Sequence, residues 1–401
     1  VRAGRMKPVH SDIRGPLFVE AMKRQKQGID ILKLNTGNPA TFGFGLPDSI
    51  KNALMEHMQD GVGYCDFKGM PQARQAICDY ETSKGIKGIT PDDVFIGNGV
   101  SEVVSFALTP LLNDGDEVLV PSPSYSLWGN SVYLEDGKPV FYTCDEQANW
   151  YPDIQDIRSK ITDKTKAIVI INPNNPTGVL YPKELLLEII QIARESGLLI
   201  FADEIYDRLV MDGKQHISLA SLTEDVPVIT LNGLSKSHCL CGYRCGWMVI
   251  SGPRELTEDY RQGIIQLTSL RLCANTMAQI VIPAALDDME TPASMVRPGG
   301  RIYEQREATV RELEKIDGLS FVKNDAAFYV FPKLDVKKFN ITNDKQFAHD
   351  LLDVTNILLV PGSGFDWKDP DHFRIVMLPQ ADILSDAIRR MGTFLDGYKQ
   401  K

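Results

Sequence analysis

The sequence predicts an α/β protein: a mainly parallel, seven-stranded sheet sandwiched by helices, with a smaller α+β domain beside it. Three observations carry this. Between residues 94 and 251, seven short apolar runs alternate with longer segments of helical period or turn composition. The runs are apolar throughout rather than at every second position, as strands buried on both faces require. The residues best suited to chemistry lie just past the ends of these runs, where ligands sit in open parallel sheets. At 401 residues the chain is too long for one ordinary core. The expected division is an arm and part of the small domain at 1–45, a large domain at 46–297 and a small C-terminal domain at 298–401.

Composition narrows the class. Hydrophobic content of 43% and charged content of 24% are those of a globular protein. A net charge of -10 and a pI near 5.2 argue against a nucleic-acid partner. No apolar run approaches the ~18 residues of a membrane span. The basic N-terminal residues Arg2, Arg5 and Lys7 have no apolar segment behind them, so no signal peptide is expected. The seven cysteines are scattered, and Cys239, Cys241 and Cys245 lack a second Cys/His cluster at zinc spacing. No metal is expected; free thiols and a cytoplasmic setting are.

Residues 1–30 read as an arm and then a helix, with Ser11 or Asp12 as its cap. Residues 31–45 are turn-rich, and Gly37 either meets a ligand or makes a plain turn. Helices over 47–60 and 71–84 flank an irregular loop carrying Tyr64. The strand at 94–96 ends in Gly97-Asn98-Gly99-Val100-Ser101-Glu102, which opens an apolar helix to Leu112. Such a turn presents free N–H groups and a positive dipole end to a phosphate, although G-x-G alone is a weak signal. Strands follow at 117–120, 140–143, 167–171, 198–202, 226–231 and 247–251, with helices at 124–135, 154–161 and 183–195. Long helical stretches cover 254–287 and 299–316. Short strands at 320–322, 328–330, 358–360 and 373–376, with helices near 345–353 and 381–397, make the second domain.

The loop after the strand at 226–231 holds Ser235-Lys236-Ser237, and Arg244 stands eight residues beyond the lysine, between Gly242 and Gly246. A lysine in a small, Gly/Ser-rich loop can be held out of bulk water, where its ammonium is disfavoured and its amine becomes nucleophilic. Such an amine can form a Schiff base with a carbonyl, pyridoxal phosphate (PLP) included. Arg244 with nearby hydroxyls can hold a phosphate.

The loop does not stand alone. Asn172-Pro-Asn-Asn-Pro-Thr-Gly178 precedes it, Asp203-Glu204-Ile205-Tyr206 begins 28 residues after Asn175, and Lys236 lies 33 residues after Asp203. In this order the motifs resemble the signature of class I/II aminotransferases, with the PLP-dependent transferase fold type I. The resemblance implies that Lys236 takes the PLP aldehyde and Asp203 the pyridine nitrogen. Tyr206 and Asn175 would meet the phenolic oxygen, and Tyr125 the ring face. Val100, Ser101, Ser235 and Arg244 would hold the phosphate. Asn35-Thr-Gly-Asn-Pro-Ala40, Ser269-Leu-Arg-Leu-Cys-Ala-Asn275 and the run 298–306 look like bacterial alanine (glutamate–pyruvate) aminotransferases. That likeness implies ping-pong transfer between a small amino acid, L-alanine, and 2-oxoglutarate, giving pyruvate and L-glutamate. It also implies a cytoplasmic homodimer in which Tyr64 reaches the partner's PLP phosphate and Gly37, Asn175 and Arg374 hold the substrate carboxylate. Arg271, 35 residues after Lys236, is a candidate for the distal carboxylate of glutamate, or else a helix arginine paired elsewhere. Two alternatives stay open: an aspartate, aromatic or broad-specificity aminotransferase, and a PLP carbon–sulfur lyase of the same fold.

Overall fold

A computed structural model describes residues 2–401. Its central sheet is built from β1 (Val94–Asn98), β2 (Glu117–Ser122), β3 (Lys138–Asp145), β4 (Tyr151–Pro152), β5 (Thr165–Ile171), β6 (Leu199–Asp203), β7 (Val228–Gly233) and β8 (Cys245–Ser251). The order across the sheet is β1-β8-β7-β6-β5-β2-β3-β4. The five strands from β7 to β3 run parallel, while β8 is antiparallel to both β7 and β1. The seven expected strands are therefore present, and β4 adds an eighth by pairing with the end of β3.

Both faces of this sheet are covered. Ile168, Ile170, Ile200 and Ala202 pack on one side against Leu186, Ile189 and Ile190 of the helix Lys183–Ser196. Their sequence neighbours Ala167, Val169, Ile171 and Phe201 pack on the other, against Val103, Val104 and Leu108 of the helix Val100–Leu108. Alternate residues of one strand thus enter two different cores, which is why the runs are apolar at every position. Each fully buried Ile, Leu or Phe contributes about 1.5–3 kcal/mol.

A second assembly forms from both ends of the chain. The strands β9 (Tyr329–Val330), β10 (Val360–Pro361) and β11 (Phe373–Val376) make an antiparallel sheet in the order β9-β11-β10. Leu32–Lys33 pairs with Ile357–Leu358, so Leu34 joins a core with Phe347, Phe373, Ile375, Leu384 and Ile388. This pairing carries the turn containing Gly37 to the carboxyl edge of the large sheet.

Two local features differ from the sequence reading. The first long helix starts at Pro16 with Gly15 as its cap, and neither Ser11 nor Asp12 caps it; proline is preset for the first helical position. The helical stretch 254–287 is broken. It runs over Arg254–Arg271, reverses at Leu272 (φ 80, ψ -78), and resumes at Thr276 with the Asn275 side chain accepting from Met277 N and Ala278 N. Among the described residues, no single helix is long and apolar enough to cross a membrane.

Candidate active site

The carboxyl ends of β5, β6 and β7, the start of the helix Val100–Leu108, and the edge of the second assembly converge on one region. Each contributes a polar group left incomplete by the protein itself.

Lys236 follows β7 in the turn that leads to β8. Its partly buried Nζ donates to Gly37 O at 2.9 Å and lies 5.9 Å from the centre of the Phe328 ring. Gly37 is required here, because a Cβ would come within 2.3 Å of the Tyr329 hydroxyl. Burial alone lowers the pKa of Lys236, as the sequence suggested. The Tyr329 phenol, the Cys241 thiol and the Tyr125 phenol reverse the sign and leave it above the ordinary lysine value. The expected depression is therefore absent.

Asp203 ends β6 and is buried. Its Oδ2 accepts from Trp128 Nε1 at 3.0 Å and its Oδ1 from Ile205 N at 3.4 Å. Among the described residues no cation pairs with it. Burial pushes its pKa up to about 6, against the opposing pull of Trp128 and Ile205 N–H. The half-buried Lys84 ammonium contacts Glu81, Glu204 and Asp207 at 2.8, 2.8 and 3.1 Å. Asp207 Oδ2 also accepts from Asn232 Nδ2 at 2.8 Å, which ties the turn after Asp203 to the end of β7 just ahead of Lys236.

Arg374, on β11, is the counterpart of opposite sign. Its side chain is 1% exposed. Nη1 donates to Asn175 Oδ1 at 2.8 Å, Nη2 donates to Asn35 O, and Nε has no partner. The guanidinium lies between the Tyr329 and Phe365 rings, 4.6 and 4.7 Å from their centres. No carboxylate among the described residues meets it, and burial lowers its pKa. A buried guanidinium without a counter-anion is unfavourable unless a ligand supplies one.

The fourth group is an anion cradle. Gly99 caps the helix Val100–Leu108 with φ 80, and a Cβ there would lie 2.3 Å from Arg244 Nη2. Gly246 brings β8 equally close, since its Cβ would fall 2.5 Å from Val100 N. Arg244 donates to Cys241 O at 2.8 Å and has no carboxylate partner among the described residues. The first N–H groups of a helix have no acceptor within it. With Arg244 and the Ser101 hydroxyl nearby, they present hydrogen-bond donors and positive charge suited to an anion.

The family model for "Aminotransferase class I and II" matches residues 29–388. The chain belongs to the class I and II aminotransferases. It is 50% identical over 399 residues to the glutamate-pyruvate aminotransferase AlaA of Haemophilus influenzae, covering 100% of this chain and 99% of that one. It is 45% identical over 400 residues to the alanine aminotransferase of Mycobacterium tuberculosis, covering 100% and 93%. Among solved structures, an aminotransferase from Escherichia coli superposes with a TM-score of 0.98 at 47% identity, covering 100% of this chain and 99% of that chain. The alanine aminotransferase of Pyrococcus furiosus does so with 0.94 at 41%, covering 99% and 100%.

In this aminotransferase the structure gathers Lys236, Asp203, Asn175, Arg374 and Gly37 around one space, with Tyr206 and Tyr125 beside them. Tyr206 Oη bonds Tyr329 Oη at 2.9 Å, and Tyr125 contributes to the field at both Lys236 and Arg374. Two residues that sequence reasoning missed are prominent here: Trp128, which holds Asp203, and Tyr329, which touches Gly37, Tyr206 and Arg374. Neither belongs to a motif. Tyr64 stands outside the group and is 83% exposed, on a cleft of about 550 Å³ lined by residues 61–64 and 273–276. Arg271 is also outside. Its Nη1 donates to Glu102 Oε2 at 2.5 Å, and its Nη2 to Ile96 O and Phe67 O at 3.2 and 3.4 Å. Within the chain it is thus the paired helix arginine of the two readings, and its partner is Glu102.

Proposed function

We propose that this aminotransferase uses PLP to move an amino group between L-alanine and 2-oxoglutarate, giving pyruvate and L-glutamate in two half-reactions. The observation that carries the reading is Arg374: a buried, ring-clamped guanidinium with no counter-anion among the described residues, linked to the amine of Lys236 through Tyr329 and Gly37. A planar fork of donors in an apolar slot selects a carboxylate.

The donor set fits PLP at each handle. The unpaired carboxylate of Asp203 suits a protonated ring nitrogen, and the cradle of Val100, Ser101, Ser235 and Arg244 suits a phosphate. Asn175 and Tyr206 suit the phenolic oxygen, and Lys236 the aldehyde. When bound, PLP supplies a carbonyl that condenses with amines and a ring that takes up the electron pair of a breaking Cα–H bond. Arg374, Asn175 and Gly37 hold the substrate α-carboxylate, which orients the Cα–H bond toward Lys236. The Lys236 amine, once free of its proton, removes the Cα proton and returns it on the other side of the same transfer as general acid. Asp203, kept ionised by the positive ring nitrogen, holds a proton there. The apolar walls of Phe328 and Tyr329 exclude water from these steps.

Small substrates are supported by the relatives named for alanine. A homodimer with shared sites is supported by the surface around the cleft, where Val62, Tyr64, Leu270 and Leu272 are 75%, 83%, 83% and 52% exposed. So large an apolar patch suits a second copy, which would bring Tyr64 to the neighbour's phosphate cradle. In this reading 46–297 acts as the cofactor domain, and 1–45 with 298–401 as the domain that presents Arg374. The test is borohydride reduction of the PLP-loaded protein followed by peptide mapping. The cofactor label should sit on Lys236 and be lost in Lys236→Ala; a label on another lysine overturns the assignment.

A further inference from the structure

Glu102 poses a problem for the cradle. It is the third residue of the helix Val100–Leu108, one turn from the N–H groups proposed to hold the cofactor phosphate. A carboxylate there completes a local cap: Oε2 accepts from Asn98 N at 2.7 Å and Oε1 from Asn98 Nδ2 at 3.1 Å. Gly97 leaves room for it, since a Cβ at that position would come within 3.2 Å of Oε2. The cap shapes the turn, but it also sets a negative charge beside a site for a dianion.

Arg271 answers that charge. It is brought to Glu102 from the far end of the helix Arg254–Arg271, and its guanidinium lies 5.2 Å from the Phe106 ring, one turn along the cradle helix. Its bonds to Ile96 O and Phe67 O join the end of β1 to the loop that carries Tyr64. Immediately after it, Leu272 adopts φ 80 and ψ -78, the rare γ-turn that a side chain resists. Asn275 N then donates to Asn98 Oδ1 at 2.8 Å, closing a ring of contacts from Asn98 through Glu102 and Arg271 back to Asn98. A non-glycine residue is kept in such a conformation only where its surroundings demand it.

We propose that Arg271 is a positioning residue for the cofactor phosphate: it neutralises Glu102 and clamps the turn 97–102 in the shape that presents Val100 and Ser101. The proposal rests on the PLP reading above. It replaces contact with a distal substrate carboxylate as the function of Arg271 within its own chain.

The test measures release of PLP and of pyridoxal, which lacks the phosphate, from the loaded protein. The variants are Arg271→Met, Arg271→Lys, Glu102→Gln and the double variant Arg271→Met/Glu102→Gln. Arg271→Met should weaken PLP retention about tenfold or more, as an unscreened like charge does, and leave pyridoxal within about twofold. Arg271→Lys should retain most of the affinity. The double variant should recover most of the loss, because glutamine removes the charge while its Oε1 still accepts from Asn98 N. Equal weakening of PLP and pyridoxal, or a double variant no better than Arg271→Met, overturns the proposal. If Arg271→Met fails to fold, Arg271→Lys and Glu102→Gln decide it: a tenfold loss of PLP in the former or in the latter is the contrary result. Failure of the PLP reading itself is visible separately, as absence of a Lys236 adduct in the unaltered protein.

Discussion

Replacing Asp203 with asparagine should make the cofactor-free protein more stable and the loaded enzyme nearly inactive. The carboxyl of Asp203 has its pKa pushed up to about 6 by burial, from an ordinary value of 3.8. The folded protein therefore binds this proton more tightly than the unfolded chain does. Stability falls as pH rises from about 4 to about 6, and above that range the full penalty of about 3 kcal/mol applies. An amide has no charge to bury, and its carbonyl can still accept the 3.0 Å bond from Trp128 Nε1. Asp203→Asn should thus raise the unfolding free energy of the cofactor-free protein at neutral pH by an amount approaching 3 kcal/mol, less a fraction for the weak contact at Ile205 N. The gain should vanish near pH 4. With PLP bound the order reverses: wild type gains the ion pair and the variant does not, and turnover of the variant falls by roughly a hundredfold or more. Urea unfolding at several pH values, with and without PLP, measures both effects. A cofactor-free variant less stable than wild type at neutral pH, or normal turnover, refutes the argument.

Two further substitutions probe the substrate side. Arg374→Lys removes the planar fork from the slot between Tyr329 and Phe365; kcat/KM should fall about 10- to 150-fold for every amino acid alike, since the shared α-carboxylate loses a contact of roughly 1.5–3 kcal/mol. An effect confined to one substrate would mean that Arg374 reads a side chain. Gly37→Ala places a Cβ within 2.3 Å of the Tyr329 hydroxyl and displaces the carbonyl that holds Lys236. Activity should fall about tenfold or more, with a stability loss of about 1–3 kcal/mol from overpacking; unchanged steady-state kinetics would show the contact to be slack.

The large sheet was legible because its strands are buried on both faces, so each wrote an uninterrupted apolar run between turn residues. β4 was not, because Tyr151–Pro152 is a two-residue pairing ending in proline, with no pattern to detect. The break at Leu272 was hidden for a different reason: positive φ at a leucine is imposed by the contacts of Arg271 and Asn275, and leucine itself carries no signal for it. Lys236, Asp203 and Asn175 were named from their motifs and Arg374 from the family resemblance, and the four do converge. Trp128 and Tyr329, which aim them, were invisible because their roles exist only across the fold. Spacing also left Arg271 ambiguous, since a separation from Lys236 says nothing of Glu102. The sign of the Lys236 shift was missed because burial was considered without Tyr329, Cys241 and Tyr125.

The central claim is an exchange of amino groups at Lys236 between L-alanine and 2-oxoglutarate. Mixing the PLP-loaded protein with L-alanine and no acceptor tests it most directly, with pyruvate and ammonia followed together with cofactor absorbance. The account predicts a single burst of pyruvate equal to the number of Lys236 sites, no ammonia, and restoration of the original spectrum with release of L-glutamate when 2-oxoglutarate is added. No response to L-alanine alongside a full response to L-aspartate, or continuous pyruvate and ammonia from L-cysteine in the same assay, would contradict it.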